Sequence, residues 1–250
     1  QDRGLGVVSG TGGASLDVVM PVWNEGGNIR PTLDCIFAHK TPLRVLVCYD
    51  RDDDDSLPAL AACPAEWQER IVLVKNQGRG VHAAIMTGLA RSEAQAVVVY
   101  PADDDYNAGL LDALHERFVK EGLDIVAPSR FMPGGCMDGC SWQKAVLVRC
   151  GAWVLRNFAG MPVHDPSNGF RLFSRRVIET IPVESDQGFT FSIEYLVKAH
   201  RLGLPIGEVP AKWFERKAGT SRFKVLKWLP GYLRWLLYAF ETTWLGKKVV

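Results

Sequence analysis

The sequence predicts an α/β fold whose mostly parallel central sheet is covered by helices on both faces. Three observations carry that expectation. Short apolar runs alternate with helical stretches through the first half of the chain. Polar or acidic clusters follow three of these runs directly, behind Val22, Tyr49 and Tyr100, where open α/β sheets bind ligands. The 250 residues, 47% hydrophobic and 23% charged, are enough to bury a real core. The net charge of +1 excludes a global pull toward nucleic acid, so any basic surface is local.

The elements follow in chain order. Glycine-rich residues 4–13 lack the apolar run of a secretory signal and read as part of a flexible leader, residues 1–15. Residues 16–22 form a buried strand, Asn24 to Asn28 a polar break, and Ile29 to about Ala38 a helix. A second strand, Arg44 to Tyr49, ends on the acidic run Asp50 to Asp55. A helix near 57–62 and a strand from Ile71 to Val74 come next, and Gly78 and Gly80 open a helix through Arg91. The strand Ala96 to Tyr100 ends at Asp103-Asp104-Asp105, before a helix at about 108–121 and a strand at 124–128.

The second half is less regular. It reads as a helix at 142–159, a loop through Asp165 to Gly169, a strand at 170–173, a helix at 190–202, and a strand near 206–214. The tail from Phe223 onward mixes aromatic, aliphatic and basic residues, with a break expected at Pro230-Gly231. It is interrupted by Lys227, Arg234 and Glu241, so it is no spanning segment, which needs about 20 apolar residues. Trp213, Trp228, Trp235 and Trp244 with Lys247-Lys248 behind them suit amphipathic helices lying on a membrane surface, residues 223–250. Packing of the same residues into the core is the competing expectation. The six cysteines show neither a CxxC pair nor zinc spacing and read as reduced structural thiols in a cytosolic setting.

Two clusters suggest chemistry. Asp103 and Asp105, at a strand end, can hold a divalent cation (Mg2+ or Mn2+) against a diphosphate. The loop from Arg216 to Lys224 gathers four cations, a glycine and two hydroxyls, a composition that clamps phosphate oxygens. The segment Gly78-Arg79-Gly80-Val81-His82-Ala83 also matches a dinucleotide fingerprint, with Asp103 twenty residues on. That match follows the third strand rather than the first, and its acid lies in a triple-aspartate cluster, which argues against an oxidoreductase.

Taken in order, Pro21-Val22-Trp23-Asn24-Glu25, the run from Asp50, Gly78-x-Gly80-x-x-Ala83-Ala84, Ala102-Asp103-x-Asp105, Ser129-Arg130, Gly134-Gly135, Asp165-Pro166-Ser167-Asn168-Gly169-Phe170-Arg171 and Glu208-Val209-Pro210 resemble family-2 glycosyltransferases of the dolichol-phosphate mannose synthase-like branch. The resemblance runs from about residue 16 to 240. It implies a GT-A fold in a catalytic domain over 16–222. The implied reaction is an inverting sugar transfer from a nucleotide-sugar (GDP-mannose or a UDP-sugar) to a polyisoprenyl phosphate, with a divalent cation. The implied setting is peripheral, on the cytoplasmic face of a membrane.

By position, the resemblance assigns Pro21, Asn24, Glu25, Asp50, Gly80 and Asp103 to the donor, and Asp103 and Asp105 to the metal. Arg130, Lys144, Ser221 and Arg222 fall to the acceptor phosphate, and Arg216 to a loop closing over both substrates. Asp165 is a catalytic candidate, as a base or as an orienting group for basic side chains; orientation is favoured, because a phosphate acceptor is already anionic near neutral pH. Three positions depart from the family pattern: Pro101 replaces the first acid of Asp-x-Asp, Arg222 replaces a lysine, and Val148 replaces a serine near the acceptor phosphate. The long membrane-spanning C-terminus of some members is also missing. The competing readings are a glycosyltransferase with a soluble or polysaccharide acceptor and a catalytically decayed membrane-binding homologue.

Overall fold

The computed structural model describes residues 15–139, 142–214 and 225–246, without the side chains of Lys144 and residues 225–228. Its main sheet has seven strands in the order β3-β2-β1-β4-β7-β5-β8. These are β1 (Leu16–Pro21), β2 (Leu43–Tyr49), β3 (Ile71–Lys75), β4 (Ala96–Val99), β5 (Ile125–Ser129), β7 (Arg171–Ser174) and β8 (Ile206–Pro210). Every pairing is parallel except those of β7, which runs antiparallel to both β4 and β5. A separate ribbon pairs β6 (Cys136–Asp138) with β9 (Lys212–Phe214).

The central strands read as continuous apolar runs because both faces are covered. Along β1 the side chains alternate between two cores. Val18 and Met20 pack with α1 (Ile29–Phe37), α2 (Ser56–Ala61) and α5 (Leu110–Glu121). Val19 packs on the opposite face with α4 (Gly80–Arg91), α8 (Thr190–Arg201) and α9 (Val225–Trp244). Each such fully buried Val or Leu contributes roughly 1.5–3 kcal/mol relative to exposure. The short helices α3 (Ala65–Gln68) and α7 (Arg175–Thr180) and the longer α6 (Trp142–Phe158) complete the set. β2 lies on one side of β1 and β4 on the other, so the strand order reverses there and a crevice opens at their carboxyl ends.

Two expectations are corrected. The strand near 206–214 is two strands: after Pro210 the chain leaves the main sheet, with Ala211 N donating to Ser129 O and Cys136 N to Ala211 O, and β9 joins the small ribbon. The tail is not broken at Pro230-Gly231 but is one helix with Pro230 inside it. A proline within a helix costs about 3 kcal/mol, and here packing offsets it. Trp235 and Ala239 are buried against the core, and a Cβ on Gly231 would come 3.0 Å from Thr190 Cγ2, so α9 sits close on α8. The opposite face of α9 leaves Leu233, Leu237 and Trp244 exposed. Among the described residues no helix is long and apolar enough to cross a membrane.

Candidate active site

The loops that follow β1, β2 and β3 are laced together by carboxylates of the acidic run. Asn24 adopts a left-handed backbone (φ 50), and its N–H donates to both oxygens of Asp54, at 3.2 and 3.1 Å. Glu25 N donates to Ser56 Oγ and Gly26 N to Asp55 Oδ1, both at 2.9 Å. Gly26 has to be glycine, since a Cβ there would stand 2.7 Å from Asp55 O. Asp50 accepts from Gly80 N at 2.8 Å and from Asn76 Nδ2 at 2.5 Å, which ties the glycine loop at the start of α4 to the end of β2. Gly80 takes a positive φ of 83° in that loop. The run therefore divides its work: Asp50, Asp54 and Asp55 build the loops, while Asp52 and Asp53 are exposed and pair with Lys75 and Arg51.

At the end of β4 the three aspartates also differ. Asp104 has its carboxylate engaged locally, accepting from Tyr106 N (3.1 Å), Asn107 N (2.9 Å) and Asn107 Nδ2 (2.7 Å). Burial pushes this carboxyl above its ordinary value, against those hydrogen bonds. Tyr100 Oη donates to Asp104 O at 2.6 Å and Thr32 Oγ1 to Ala102 O at 2.9 Å, which fixes the turn. All three aspartates line the cleft, and the bonds of Asp104 hold the turn that carries Asp103 and Asp105.

Among the described residues no three His, Cys, Asp or Glu side chains gather as a complete metal cage. Two hard carboxylates beside an open space suit Mg2+ or Mn2+, which take remaining ligands from water and substrate phosphates.

The third part of the site follows β5. Arg130 grips Asp165 with two bonds, Nε–Oδ2 at 2.6 Å and Nη2–Oδ1 at 2.9 Å, and its backbone N–H adds a third at 3.1 Å. Ser167 Oγ accepts from Arg130 Nη2 and donates to Asp165 Oδ1. Asp165 is fully buried. Burial raises its pKa, but the charge and hydrogen bonds of Arg130 outweigh this and hold it below the usual carboxylate range. Behind it lies Arg171, also fully buried, donating to the carbonyls of Ser192, Asp165 and Pro166. Burial pulls Arg171 down to about 10. Glu208 accepts from His164 N, His164 Nδ1 and Asp165 N, so the Glu-Val-Pro motif buttresses the Asp165 loop from β8.

All three parts open on one cleft of about 1780 Å³. Of the residues singled out from sequence, Pro21, Glu25, Asp50, Gly80, Asp103, Asp105 and Arg130 line it. Asn24 does not; its backbone amide is spent on Asp54. Asp165 does not either, because it stands behind Arg130. Arg216, Ser221 and Arg222 lie outside the described residues, as does the side chain of Lys144. Apart from Val148, which the resemblance places near the acceptor phosphate, the sequence reading missed the apolar part of the cleft. Leu147, Val148 and Leu155 of α6 and Leu229, Leu233 and Leu236 of α9 make it apolar, with Tyr232 beside them. Trp23 and Arg79 were also missed as lining residues.

Residues 17–181 match the family described as Glycosyl transferase family 2. The chain belongs to this family. The glycosyltransferase is 27% identical over 228 residues to a polyprenol monophosphomannose synthase of Mycolicibacterium smegmatis, covering 84% of this chain and 85% of that protein. It is 28% identical over 218 residues to the glycosyltransferase AglD of Haloferax volcanii; that match covers 84% of this chain but only 34% of the relative. Among solved structures, glucosyl-3-phosphoglycerate synthase of Mycobacterium tuberculosis in complex with UDP superimposes with a TM-score of 0.69. The match has 19% identity and covers 91% of this chain and 80% of that one. The same synthase with Mn2+, UDP and glucosyl-3-phosphoglycerate gives 0.65 at 19% identity, over 92% and 80%. These likenesses show that the enzyme has the GT-A fold.

Proposed function

We propose that this glycosyltransferase moves a sugar, with inversion, from GDP-mannose or a UDP-sugar to a polyisoprenyl phosphate at a membrane surface. The observation that carries this reading is the mixed lining of one cleft, where an acidic set (Asp50, Asp103 and Asp105), an apolar set from α6 and α9, and Arg130 come together. A nucleotide diphosphate with its cation suits the acidic set, and a hydrocarbon chain suits the apolar one. A phosphate on that chain would reach Arg130. The similarity to a polyprenol monophosphomannose synthase supports the same acceptor class.

In this reading Pro21, Glu25, Asp50 and Gly80 shape the donor pocket, and Asn24 contributes through the backbone of its loop. Asp103 and Asp105 would hold the cation, which when bound neutralises charge on the departing diphosphate. One acceptor phosphate oxygen attacks the anomeric carbon as the bond to the diphosphate oxygen breaks, and the nucleoside diphosphate leaves with that electron pair. Such an acceptor needs no strong base, and Asp165, spent on Arg130, is assigned to orientation rather than proton transfer. Catalysis is positioning and charge stabilisation. Arg216, Ser221 and Arg222, with Lys144, supply further phosphate contacts in this assignment.

The outer faces of the two helices support the membrane setting. α6 carries Lys144, Arg149 and Arg156 and no acidic residue, and it exposes Trp142, Val146, Trp153 and Phe158. With Leu237 and Trp244 of α9 these residues suit the headgroup region on the cytoplasmic face, where aromatic and basic side chains anchor peripheral proteins. Within the membrane segment assigned to 223–250, α9 then uses its outer face for lipid and its inner face for the 16–222 catalytic domain.

The test is transfer of radiolabel from a panel of nucleotide sugars to polyprenyl phosphate in detergent or vesicles. Counts in the organic phase are expected. Counts confined to a water-soluble phosphate ester or a polysaccharide would replace the acceptor, and no transfer to any acceptor would favour a decayed homologue.

A further inference from the structure

The acceptor reading leaves a question of charge, because Arg130 is already neutralised by Asp165 through a buried bidentate pair. Besides the contacts assigned to Lys144, Arg216, Ser221 and Arg222, an incoming phosphate can take a further donor there. α9 provides one. Tyr232 lines the cleft with its neighbours Leu229, Leu233 and Leu236 and is only partly buried. Its ring joins the core beneath. Its hydroxyl makes no hydrogen bond among the described residues, and Tyr232 lines the same cleft as Arg130. Burial pushes the phenol up to about 12, ahead of the opposing pull of Arg130 and Arg171, so at neutral pH the group is a neutral donor rather than an anion.

The helix is held so that this tyrosine faces inward. One residue before it, Gly231 meets Thr190 of α8. Three residues after it, Trp235 is buried with the Lys198 ammonium 5.2 Å and the Arg234 guanidinium 4.9 Å from its ring centre. Arg234 also pairs with Glu184 at 2.5 Å. These contacts fix the rotation of α9 about its axis.

We propose that the Tyr232 hydroxyl donates a hydrogen bond to the acceptor phosphate, completing with Arg130 the headgroup site of the cleft. This assignment rests on the lipid-phosphate reading of the cleft. It makes Tyr232 an acceptor-binding residue that signals the phosphate end of the substrate rather than its chain.

The test is Tyr232→Phe, which keeps the ring and its packing. A hydrogen bond to a charged partner predicts an acceptor KM raised about tenfold, with donor KM and melting temperature unchanged. Inhibition by farnesyl phosphate and by farnesol separates the hydroxyl from packing. The variant should lose about tenfold against farnesyl phosphate and nothing against farnesol, whereas a packing defect would weaken both equally and overturn the proposal. Wild-type-like acceptor KM in an enzyme that does use polyprenyl phosphate overturns the Tyr232 assignment alone. A wild-type enzyme that transfers nothing to polyprenyl phosphate overturns the lipid reading and this assignment with it.

Discussion

The acidic lobe of the cleft is laced by backbone amides and carboxylates, with Asp50, Asp54, Asp55 and Asp104 each spent on holding a loop. The apolar lobe is two helices, α6 and α9, that face each other with leucines and join at one end through Trp244 Nε1 donating to Phe158 O. The first lobe is preorganised for a ligand whose polar atoms need fixed partners. The second offers area without direction, which suits a hydrocarbon chain. Arg130 lines the same cleft, and its geometry belongs to the first kind: a planar fork on a buried carboxylate.

Substitutions at Arg130 should break the contrast most severely. Arg130→Ala leaves Asp165 buried without its cation, which costs about 3–5 kcal/mol of stability. It should also abolish most transfer. Melting curves beside acceptor kinetics check both; an unchanged melting temperature would mean that Asp165 is not held as described.

Asp105→Ala tests the acidic lobe alone. Turnover should fall by about 100-fold, the effect of removing a main electrostatic stabiliser. The melting temperature should change little, because Asp105 is exposed. Full activity that still falls on chelation would move the cation elsewhere.

A smaller effect sharpens the contrast by pH. Asp165 is held below its ordinary value of 3.8, so its contribution to stability is present above that value and is lost as pH falls through the lowered one. In Arg130→Gln, burial acts without the opposing charge and raises the Asp165 pKa. The variant then regains ground as pH falls and Asp165 protonates. The difference in melting temperature between wild type and variant should be widest near neutral pH and narrow in acid. A constant difference would show that Asp165 is not the titrating partner.

The contrast between lobes also explains what could be read from sequence. Pro21 ends a strand and Asp50, Gly80, Asp103 and Arg130 each lie in the loop or helix start that follows one, and parallel strands bring such positions to one edge. Local pattern therefore led to the acidic lobe. It could not show that Asp104 is the aspartate spent on the turn, because that depends on which carboxylate the Tyr106 and Asn107 amides capture. Nor could it show the direction of β7, since Arg171–Ser174 is as apolar read either way. The three-residue strands β6 and β9 are too short to announce their pairing. Pro230 reads locally as a break, and only the fit of Gly231 and Trp235 against the domain overrides it. The apolar lobe and Tyr232 depend on that same packing, which brings α9 beside residues far back along the chain.

The most direct test of the account is the dependence of transfer on acceptor chain length. Each buried methylene is worth about 0.8 kcal/mol, a factor of about 4 in binding. With a fixed donor, kcat/KM should climb steeply from a short water-soluble prenyl phosphate as isoprene units are added, until the lobe between α6 and α9 is filled. A flat profile from the shortest phosphate ester to the longest polyprenyl phosphate would contradict the account and leave the apolar lobe without an acceptor role.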